Sequence, residues 1–330
     1  MQKIFGCKTI LMLAGLVCFC LASTAQAVDR VVVIPMGGTE GNATASDVVV
    51  GKTFSSKAAG KGVDGSLEIR AGGTLYTNSL GMKFSLIPAG SFVMGSPDGV
   101  TTVPASPAEP ARSSDEKQHV VTLTKPFYMQ TTEVTQGQWQ QMMGSNPSHF
   151  TACGSDCPVE MVSWNDAQNF IDNLNASEGR TNCNTTPNTC YSLPTESQWE
   201  YAARGGTVSA FYNGGITNTI CSPLDPKLND IGWYCGNAGS TTHPVAQKAP
   251  NNWGLYDMSG NVYELCEDWY GTYPAGPVSD PPGPVATNRV VRGSSWDDLA
   301  RYGRTASRAS IPPDLPTSNV GFRLVLPPGQ

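Results

Sequence analysis

The two most informative segments of this 330-residue chain are Arg292-Gly293-Ser294-Ser295-Trp296-Asp297-Asp298-Leu299-Ala300-Arg301-Tyr302-Gly303-Arg304 and Asn319-Val320-Gly321-Phe322-Arg323-Leu324. Both combine glycine with aromatic and charged residues over a few positions, which is typical of structured loops. Neither segment contains a cysteine, so neither offers a thiolate to a soft metal ion such as Cu(I). This absence limits the chemistry that the chain can carry.

The composition indicates one large, loop-rich unit. The chain has 35 Gly and 25 Pro, and 39% of its residues are hydrophobic, which suffices for a sizeable core with a modest share of regular structure. The formal net charge is -6 and there is no basic run, so the electrostatic footprint of a nucleic-acid binder is missing. We therefore expect no nucleic-acid partner.

Residues 1–27 have the pattern of a secretory signal peptide. Lys3 and Lys8 lie before and at the start of an apolar run that ends at Ala22, and Ala25-Gln26-Ala27 supplies a small-residue cleavage site. The run is shorter than the roughly 20 residues that span a bilayer, which favours cleavage after Ala27 over a retained anchor. The pattern predicts an exported protein, periplasmic, on the cell surface or secreted, without a membrane span after cleavage.

Three of the ten cysteines lie in that segment, so seven remain in the mature chain. An oxidising compartment favours disulfides between the close pairs, although order alone leaves other connectivities open. The favoured pairs are Cys153 with Cys157, Cys183 with Cys190, and Cys221 with Cys235. Cys266 is left over in an apolar run, and we expect a buried, unreactive thiol there.

The mature chain divides by composition into residues 28–78 and residues 79–328. The first part is rich in Gly, Ala, Ser and Thr, which predicts an extended arm or small β appendage. In the second part, alternation over residues 82–95 around Pro88-Ala89-Gly90 predicts a β-hairpin. Three capping boxes predict short amphipathic helices. The boxes pair Thr135 with Gln138, Ser163 with Asp166, and Thr195 with Gln198.

Several further segments precede the two quoted first, in a fixed order along the chain. They cover residues 87–95, 132–135, 158–164, 193–204 and 253–264. This ordered set, over about three quarters of the chain, resembles the formylglycine-generating enzymes, also called sulfatase-modifying factors. The resemblance implies an irregular, loop-rich α+β fold, related to C-type lectins, with little regular secondary structure.

The oxidase members of this family bind copper through a pair of cysteines. Alignment from Arg292-Gly293 puts Asp298 and Gly303 at those two positions. Glycine has no ligand atom, and a carboxylate is a hard donor that disfavours Cu(I). The resemblance therefore implies a member without catalytic residues of the copper type, and we expect no copper cofactor.

A second enzymatic branch of the family holds iron with three histidines. This chain has only His119, His149 and His243, widely separated and without a helical pair spacing. Pyoverdine-maturation relatives also lack the cysteine pair, so an enzyme remains the rival hypothesis. That enzyme would be a divergent oxidoreductase or a maturation enzyme acting on an exported peptide or siderophore.

Structural calcium is the cofactor that the resemblance does imply. The family binds it with oxygen ligands from a segment that corresponds to residues 255–264, and hard oxygen donors on a loop suit Ca²⁺. The alternative is that these acids cap a helix or are solvated. The expected ligands are the carboxylates of Asp257 and Glu264 and the backbone carbonyls of Ser259, Gly260 and Val262. A weaker second site would use Asp230, Ile231, Asn237 and Gly239.

Asp297, Asp298, Arg301 and Arg304 lie where the groove of the family binds its peptide. Arginines there would form bidentate contacts to carboxylates of a ligand. The alternative is internal pairing of Asp298 with Arg301 or Arg304. Our leading hypothesis is an exported, calcium-stabilised binding or structural module whose partner is a peptide, a glycan or a small polar ligand.

Overall fold

The computed structural model describes residues 8–12, 15–19, 75–100, 107–181, 183 and 189–327. The chain forms two compact units, residues 1–71 and residues 72–330. In the first unit, β1 (Lys8–Met12) and β2 (Gly15–Phe19) pair antiparallel. The predicted cleavage site after Ala27, and residues 28–74 of the predicted arm, lie outside the described residues. No helix in the described part of the chain is long and apolar enough to cross a membrane.

The second unit is an α+β domain built on three small sheets. Its strands are β3 (Leu75–Thr77), β4 (Lys83–Ile87), β5 (Gly90–Met94), β6 (His119–Leu123), β7 (Phe127–Gln130), β8 (Tyr263–Trp269), β9 (Val278–Ser279), β10 (Arg289–Arg292), β11 (Arg308–Ile311), β12 (Val320–Gly321) and β13 (Val325–Leu326). The strand orders are β11-β10-β8-β12, β13-β7-β4-β3 and β5-β6-β9. Most strands are short, and long connections join them, which confirms the expected loop-rich fold.

The described residues contain four α-helices, and three of them begin at the predicted capping boxes. The helices are α1 (Gln136–Met143), α2 (Trp164–Ser177), α3 (Glu196–Arg204) and α4 (Pro226–Ile231). In each box the hydroxyl of the N-cap residue accepts a backbone N–H, and the side chain three residues on accepts the N-cap N–H. Two short 3₁₀ turns span Thr151–Cys153 and Ala300–Gly303.

The hairpin predicted over residues 82–95 is wrong in its pairing. Both strands form, but β4 pairs with β3 and β7, whereas β5 pairs with β6 and β9. The turn between them therefore carries the chain from one sheet to another. Alternation of apolar and polar residues specifies which face of a strand is buried and does not specify the partner strand. The pattern therefore could not predict that β4 and β5 belong to different sheets.

Helix α3 supplies much of the buried polar structure. Trp199 is fully buried in the core, and the Glu200 carboxylate on the same helix pairs with Arg204 at 2.7 Å and with Arg292 of β10. Buried carboxylates of this kind require satisfied partners, because an unpaired buried charge is costly. Helix α3 is thereby fixed to the strand that leads into the Asp297–Asp298 loop.

The structure contains all three disulfides that the spacing favours. They are Cys153–Cys157, Cys183–Cys190 and Cys221–Cys235. Cys266 is the remaining cysteine of residues 75–327, and it is fully buried on β8. Burial raises the pKa of its thiol well above the usual value, which fits the expectation of an unreactive side chain.

Candidate functional site

Backbone hydrogen bonds to Asn261 and Cys235 hold the loop after β10. Gly293 and Ser294 adopt positive φ angles of 91° and 69°, which turn the chain out of the strand. Beyond the turn, Trp296 N–H donates to the Asn261 carbonyl at 2.9 Å, and Cys235 N–H donates to the Asp298 carbonyl at 3.1 Å. We call the surface formed by Ser295, Asp297, Asp298, Arg301 and Tyr302 the Asp298 face.

Ser295 joins the two acids of this face. Its hydroxyl oxygen lies 2.6 Å from Oδ1 of Asp297 and 2.5 Å from Oδ2 of Asp298. A serine hydroxyl has one hydrogen, so it can donate to only one carboxylate, and the other contact requires a protonated carboxyl that donates to the serine. Burial, helped by the charge of Asp297, raises the pKa of Asp298. Protonation of Asp298 is therefore favoured relative to that of a free aspartic acid side chain.

Tyr263 of β8 makes a further contact with Asp298. Its hydroxyl is hydrogen-bonded to the Asp298 carboxyl, and burial raises the tyrosine pKa, so the phenol stays protonated at neutral pH. On the other side, the Asn319 amide donates to Oδ1 of Asp297 at 3.3 Å. The first cysteine position of the oxidases thus holds an acid that is satisfied by protein groups.

Gly303 occupies the second cysteine position and is buried. A Cβ atom added there would lie 3.1 Å and 3.3 Å from the two terminal methyl carbons of Leu228. The cysteines of residues 75–327 offer no free, accessible thiol to this region, since six are in disulfides and Cys266 is buried. The donor set for Cu(I) is therefore missing at both positions.

Arg304 does not line an open groove as predicted, and it does not pair with Asp298. Its guanidinium is 1% exposed and lies between Glu109 and Glu116, with nitrogen–oxygen distances of 2.7–2.8 Å. The carbonyls of Ala111 and Arg301 accept its two remaining N–H groups. All five donors are satisfied, and the residue fastens the loop around Glu109 to the domain.

Arg301 also forms no pair with Asp298. No described carboxylate lies within ion-pair distance of its guanidinium, whose Nη2 donates to the Tyr302 hydroxyl at 3.2 Å. The predicted internal pairing is therefore wrong for both arginines, because Ser295 and Tyr263 satisfy Asp298 instead. Asp297, Asp298 and Arg301 remain together on one partly exposed loop.

The predicted calcium segment forms a second, fully buried group. We call Glu133, Asp257, Glu264 and Arg323 the Asp257 cluster. Arg323 binds both oxygens of Glu264 at 2.6 Å, and Trp199 Nε1 donates to the same carboxylate at 2.7 Å. In this structure Glu264 is an ion-pair partner, which corrects the expectation of a carboxylate free to bind a metal ion.

Asp257 and Glu133 form the other half of this cluster. Oδ2 of Asp257 accepts the Ala246 N–H at 2.7 Å, whereas its Oδ1 and both oxygens of Glu133 are buried without a donor from another group. The two side chains are hydrogen-bonding neighbours, so the pair is satisfied when Glu133 is protonated and donates to Asp257. Burial raises the pKa of Asp257 to about 6 and that of Glu133 well above its usual value.

The Asp257 cluster fits calcium in part. The Ser259 hydroxyl is buried without a partner, and Oδ1 of Asp257 has none except a protonated Glu133, so a hard cation would satisfy both atoms. Glu264 does not fit, because Arg323 already occupies it. The described residues contain no group of three or more His, Cys, Asp or Glu side chains arranged to hold a metal ion.

The residues of the weaker second site serve the local loop. The Asn237 amide donates to Asn229 and to the Gly232 carbonyl at 3.0 Å, and its oxygen accepts the Tyr234 N–H at 2.9 Å. Ile231 is buried in the core. The side chain of Asn237 is therefore already satisfied, and it is not free to bind a metal ion.

The three histidines have separate environments. His119 packs against Tyr273 with ring centroids 4.8 Å apart, and His149 meets Phe150 edge-on at the same distance. His243 stacks on Trp233 at 3.8 Å. Each histidine contacts a different aromatic ring, and the described residues contain no group of three such side chains that could hold a metal ion.

A small cavity of about 40 Å³ lies at the end of β8. Its lining includes Met94, Glu196, Asp268 and Arg308. Oδ2 of Asp268 accepts the Glu196 N–H at 2.7 Å, at the N-terminus of α3. Burial raises the pKa of Asp268 to about 7. No local pattern indicated this acid, because its environment depends on segments far apart in the chain.

The described domain is thus an irregular α+β fold. It has a buried acid–arginine cluster and an acid-bearing loop after its central strand. The sulfatase-modifying factor enzyme 1-like domain matches residues 77–327, and the chain belongs to this family, which includes the formylglycine-generating enzymes.

Three relatives illustrate the range of the family. The formylglycine-generating enzyme of Streptomyces coelicolor is 35% identical over 180 residues, which are 50% of this chain and 51% of that protein. The chaperone protein LppX of Paenibacillus barcinonensis is 32% identical over 212 residues, 52% of this chain and 69% of that protein. The solved structure of Treponema denticola variable protein 1 has a TM-score of 0.63 and 30% identity, covering 77% of this chain and 99% of that chain. The chain thus spans about half the length of the Streptomyces enzyme.

Sequence reasoning missed Glu133, Tyr263 and Ser295 as members of these two groups. Glu133 lies in the family segment over residues 132–135, so the segment marked it without giving its partner. Ser295 lies two and three residues from its partners Asp297 and Asp298, whereas Tyr263 reaches Asp298 from a distant part of the chain, a contact that local sequence does not indicate. Proximity in three dimensions was needed to find them.

Proposed function

We propose that this protein is an exported binding or structural module of the sulfatase-modifying factor family that acts without copper-dependent oxidation of cysteine. The observation that carries the proposal is the pair Asp298 and Gly303, together with the absence of a free, accessible thiol among residues 75–327. Copper chemistry of the family type needs two thiolates that approach each other. The names of the relatives include an enzyme, a chaperone and a variable protein, so membership alone assigns no reaction.

Copper binding tests this proposal directly. We expect wild-type protein to leave Cu(I) with a competing chromogenic chelator, and the double variant Asp298→Cys with Gly303→Cys to remove one equivalent. The methyl carbons of Leu228 beside Gly303 are the ends of a flexible side chain, so a small cysteine requires only a modest shift. Stoichiometric copper or iron in purified wild-type protein would instead support the rival enzyme.

The export part of the proposal rests on the three disulfides and on the pattern of residues 1–27. Cell fractionation of a bacterial host that expresses the full chain tests it. The protein is expected outside the cytoplasm, with its N-terminus beginning after Ala27. Intact protein that stays in the cytoplasm with residues 1–27 attached would contradict export.

Calcium is the cofactor that we propose for the Asp257 cluster. The expected ligands are Asp257 and the backbone carbonyls of Ser259, Gly260 and Val262, with Glu264 retained by Arg323. The three acids and one arginine of the cluster leave an excess of negative charge, which favours a cation in the buried site. A bound ion would add electrostatic stabilisation to a segment that already buries Leu255, Met258 and Val262 in the core.

A further inference from the structure

The small cavity at the end of β8 shares no lining residue with the Asp298 face or the Asp257 cluster. Its volume of about 40 Å³ exceeds the roughly 10–15 Å³ that one water molecule needs, so a small ligand group fits. The lining comes from the start of α3, the ends of β5 and β8, the strands β6 and β11, and residues 271–284. Pro274 and Pro284 of that last segment are exposed, so the cavity lies next to the protein surface.

Asp268 is the acid of this cavity that lacks a cationic partner. The residue is 7% exposed, its Oδ2 accepts the Glu196 N–H at 2.7 Å, and no described Lys, Arg or His lies within ion-pair distance of its carboxylate. Residues 281–284 pass close to the other oxygen, because a Cβ atom added at Gly283 would lie 2.5 Å from Oδ1. A carboxylate that is shielded from water in this way is unfavourable without a counter-charge.

The other charged groups at the cavity are already paired. Nε and Nη2 of Arg308 bind the two oxygens of Glu196 at 2.8 Å and 2.6 Å, and the Tyr273 hydroxyl donates to the same carboxylate at 3.0 Å. Nη1 of Arg308 donates to the Gly271 carbonyl at 2.8 Å. A ligand in the cavity therefore meets a balanced ion pair and one unbalanced acid, Asp268.

His119 adds a second acceptor to the lining. Its Nδ1 lies 3.1 Å from the Lys117 carbonyl, which can only accept, so Nδ1 carries the hydrogen of the neutral ring. Nε2 is then an acceptor on a ring that lines the cavity. Apolar walls come from Met94, Pro274, Pro281 and Pro284. The cavity thus combines two acceptors, one of them a carboxylate, with apolar walls.

We propose that this cavity binds a primary alkylammonium group, whose nitrogen donates to Asp268 and whose alkyl carbons pack against Met94 and the prolines. An ammonium group has three donors and no acceptor, which complements the two acceptors, and its charge balances the carboxylate. Burial, helped by the charges of Glu196 and Glu267, raises the pKa of Asp268 to about 7, and a bound cation would favour the ionised form. The inference goes beyond the proposed function, because it adds a second site with its own ligand chemistry.

An NMR titration with n-butylammonium chloride tests the proposal, and neutral 1-butanol is the matched probe of equal length. At pH 8 and constant ionic strength, wild-type protein should bind n-butylammonium about tenfold more tightly than 1-butanol, the effect of one charge-assisted contact. Asp268→Asn should abolish this preference, and it keeps an oxygen that accepts the Glu196 N–H. Asp172→Asn is the matched control and should keep the preference, because Asp172 is an exposed acid on α2 outside the cavity.

The ¹³C resonance of the Asp268 carboxyl gives a second readout on the unaltered protein. Saturating n-butylammonium should lower the pKa of this carboxyl by about 1, whereas 1-butanol should leave it unchanged. The same titration in His119→Gln separates ionisation of the acid from that of the ring, and the same decrease is expected. The titratable and charged groups near Asp268 are Glu196, Glu267, His119, Tyr273, Arg289 and Arg308.

Equal affinity of wild-type protein for the two probes would overturn the inference, as would an undiminished preference in Asp268→Asn. Nα-acetyl-lysine amide distinguishes the two sources of the group. Binding as tight as that of n-butylammonium would assign the cavity to lysine side chains, and exclusion of this probe would assign it to free amines; both results support an alkylammonium site. No outcome depends on the copper test, so failure here is distinct from failure of the proposed function.

Discussion

Replacement of Arg304 by methionine tests the role of the buried ion cluster behind the Asp298 face. The guanidinium satisfies two carboxylates, Glu109 and Glu116, and two backbone carbonyls, and methionine of similar length satisfies none. Removing one member of a buried ion pair leaves an uncompensated charge and costs about 3–5 kcal/mol. We expect about 3 kcal/mol, because Glu109 lies on a loop at the surface and can regain part of its hydration.

Urea unfolding at neutral pH, followed by tryptophan fluorescence, measures this change in the free energy of unfolding. Arg301→Met is the matched control, since it alters an arginine three residues earlier that has no carboxylate partner. That control should lose less than about 1 kcal/mol. Because burial already raises the pKa of Glu109, the deficit of Arg304→Met should shrink as pH falls and this acid becomes protonated. Equal destabilisation by the two variants would refute the reasoning.

Three further predictions concern the acids and the disulfide. Asp268 has a folded-state pKa of about 7 against 3.8 for the free side chain, so its contribution to stability is lost as pH rises through that interval. Between pH 5 and pH 8 the free energy of unfolding of Asp268→Asn should therefore gain about 2 kcal/mol relative to that of wild type, measured by urea unfolding. If Asp257 binds calcium, a chelator should lower the melting temperature of wild-type protein by several degrees and leave Asp257→Asn unchanged; identical shifts in both would exclude the site. Replacing Cys221 and Cys235 by serine should lower the free energy of unfolding by about 3 kcal/mol, measured with urea, and a loss below about 1 kcal/mol would show that the loop does not need the bridge.

Local features of the fold were predictable from the sequence. The capping box of Thr135 and Gln138 involves residues three apart, and both of its hydrogen bonds form as predicted. Close spacing likewise favoured the Cys221–Cys235 disulfide, because short loops bring the sulfurs together at small entropic cost. Such features depend on contacts that the local chain alone can make.

Features that depend on distant partners were not predictable in the same way. Arg304 pairs with Glu116, 188 residues earlier, and Arg323 pairs with Glu264, 59 residues earlier. Motif alignment predicted Arg304 in a groove and Glu264 as a metal ligand. An alignment gives the residue type at a position but not the groups that surround that residue in the fold. The strand β4 also pairs with β7, which lies in another part of the chain. In each case tertiary packing decided the outcome.

Mass spectrometry of a cysteine-containing sulfatase peptide, incubated with this protein, Cu(I), a reductant and dioxygen, tests the central claim most directly. The account predicts that the peptide cysteine stays unchanged, because Asp298 and Gly303 provide no pair of thiolates. The Streptomyces coelicolor relative serves as the positive control for the assay. Conversion of the cysteine to an aldehyde by this protein at a rate near that of the control would contradict the account.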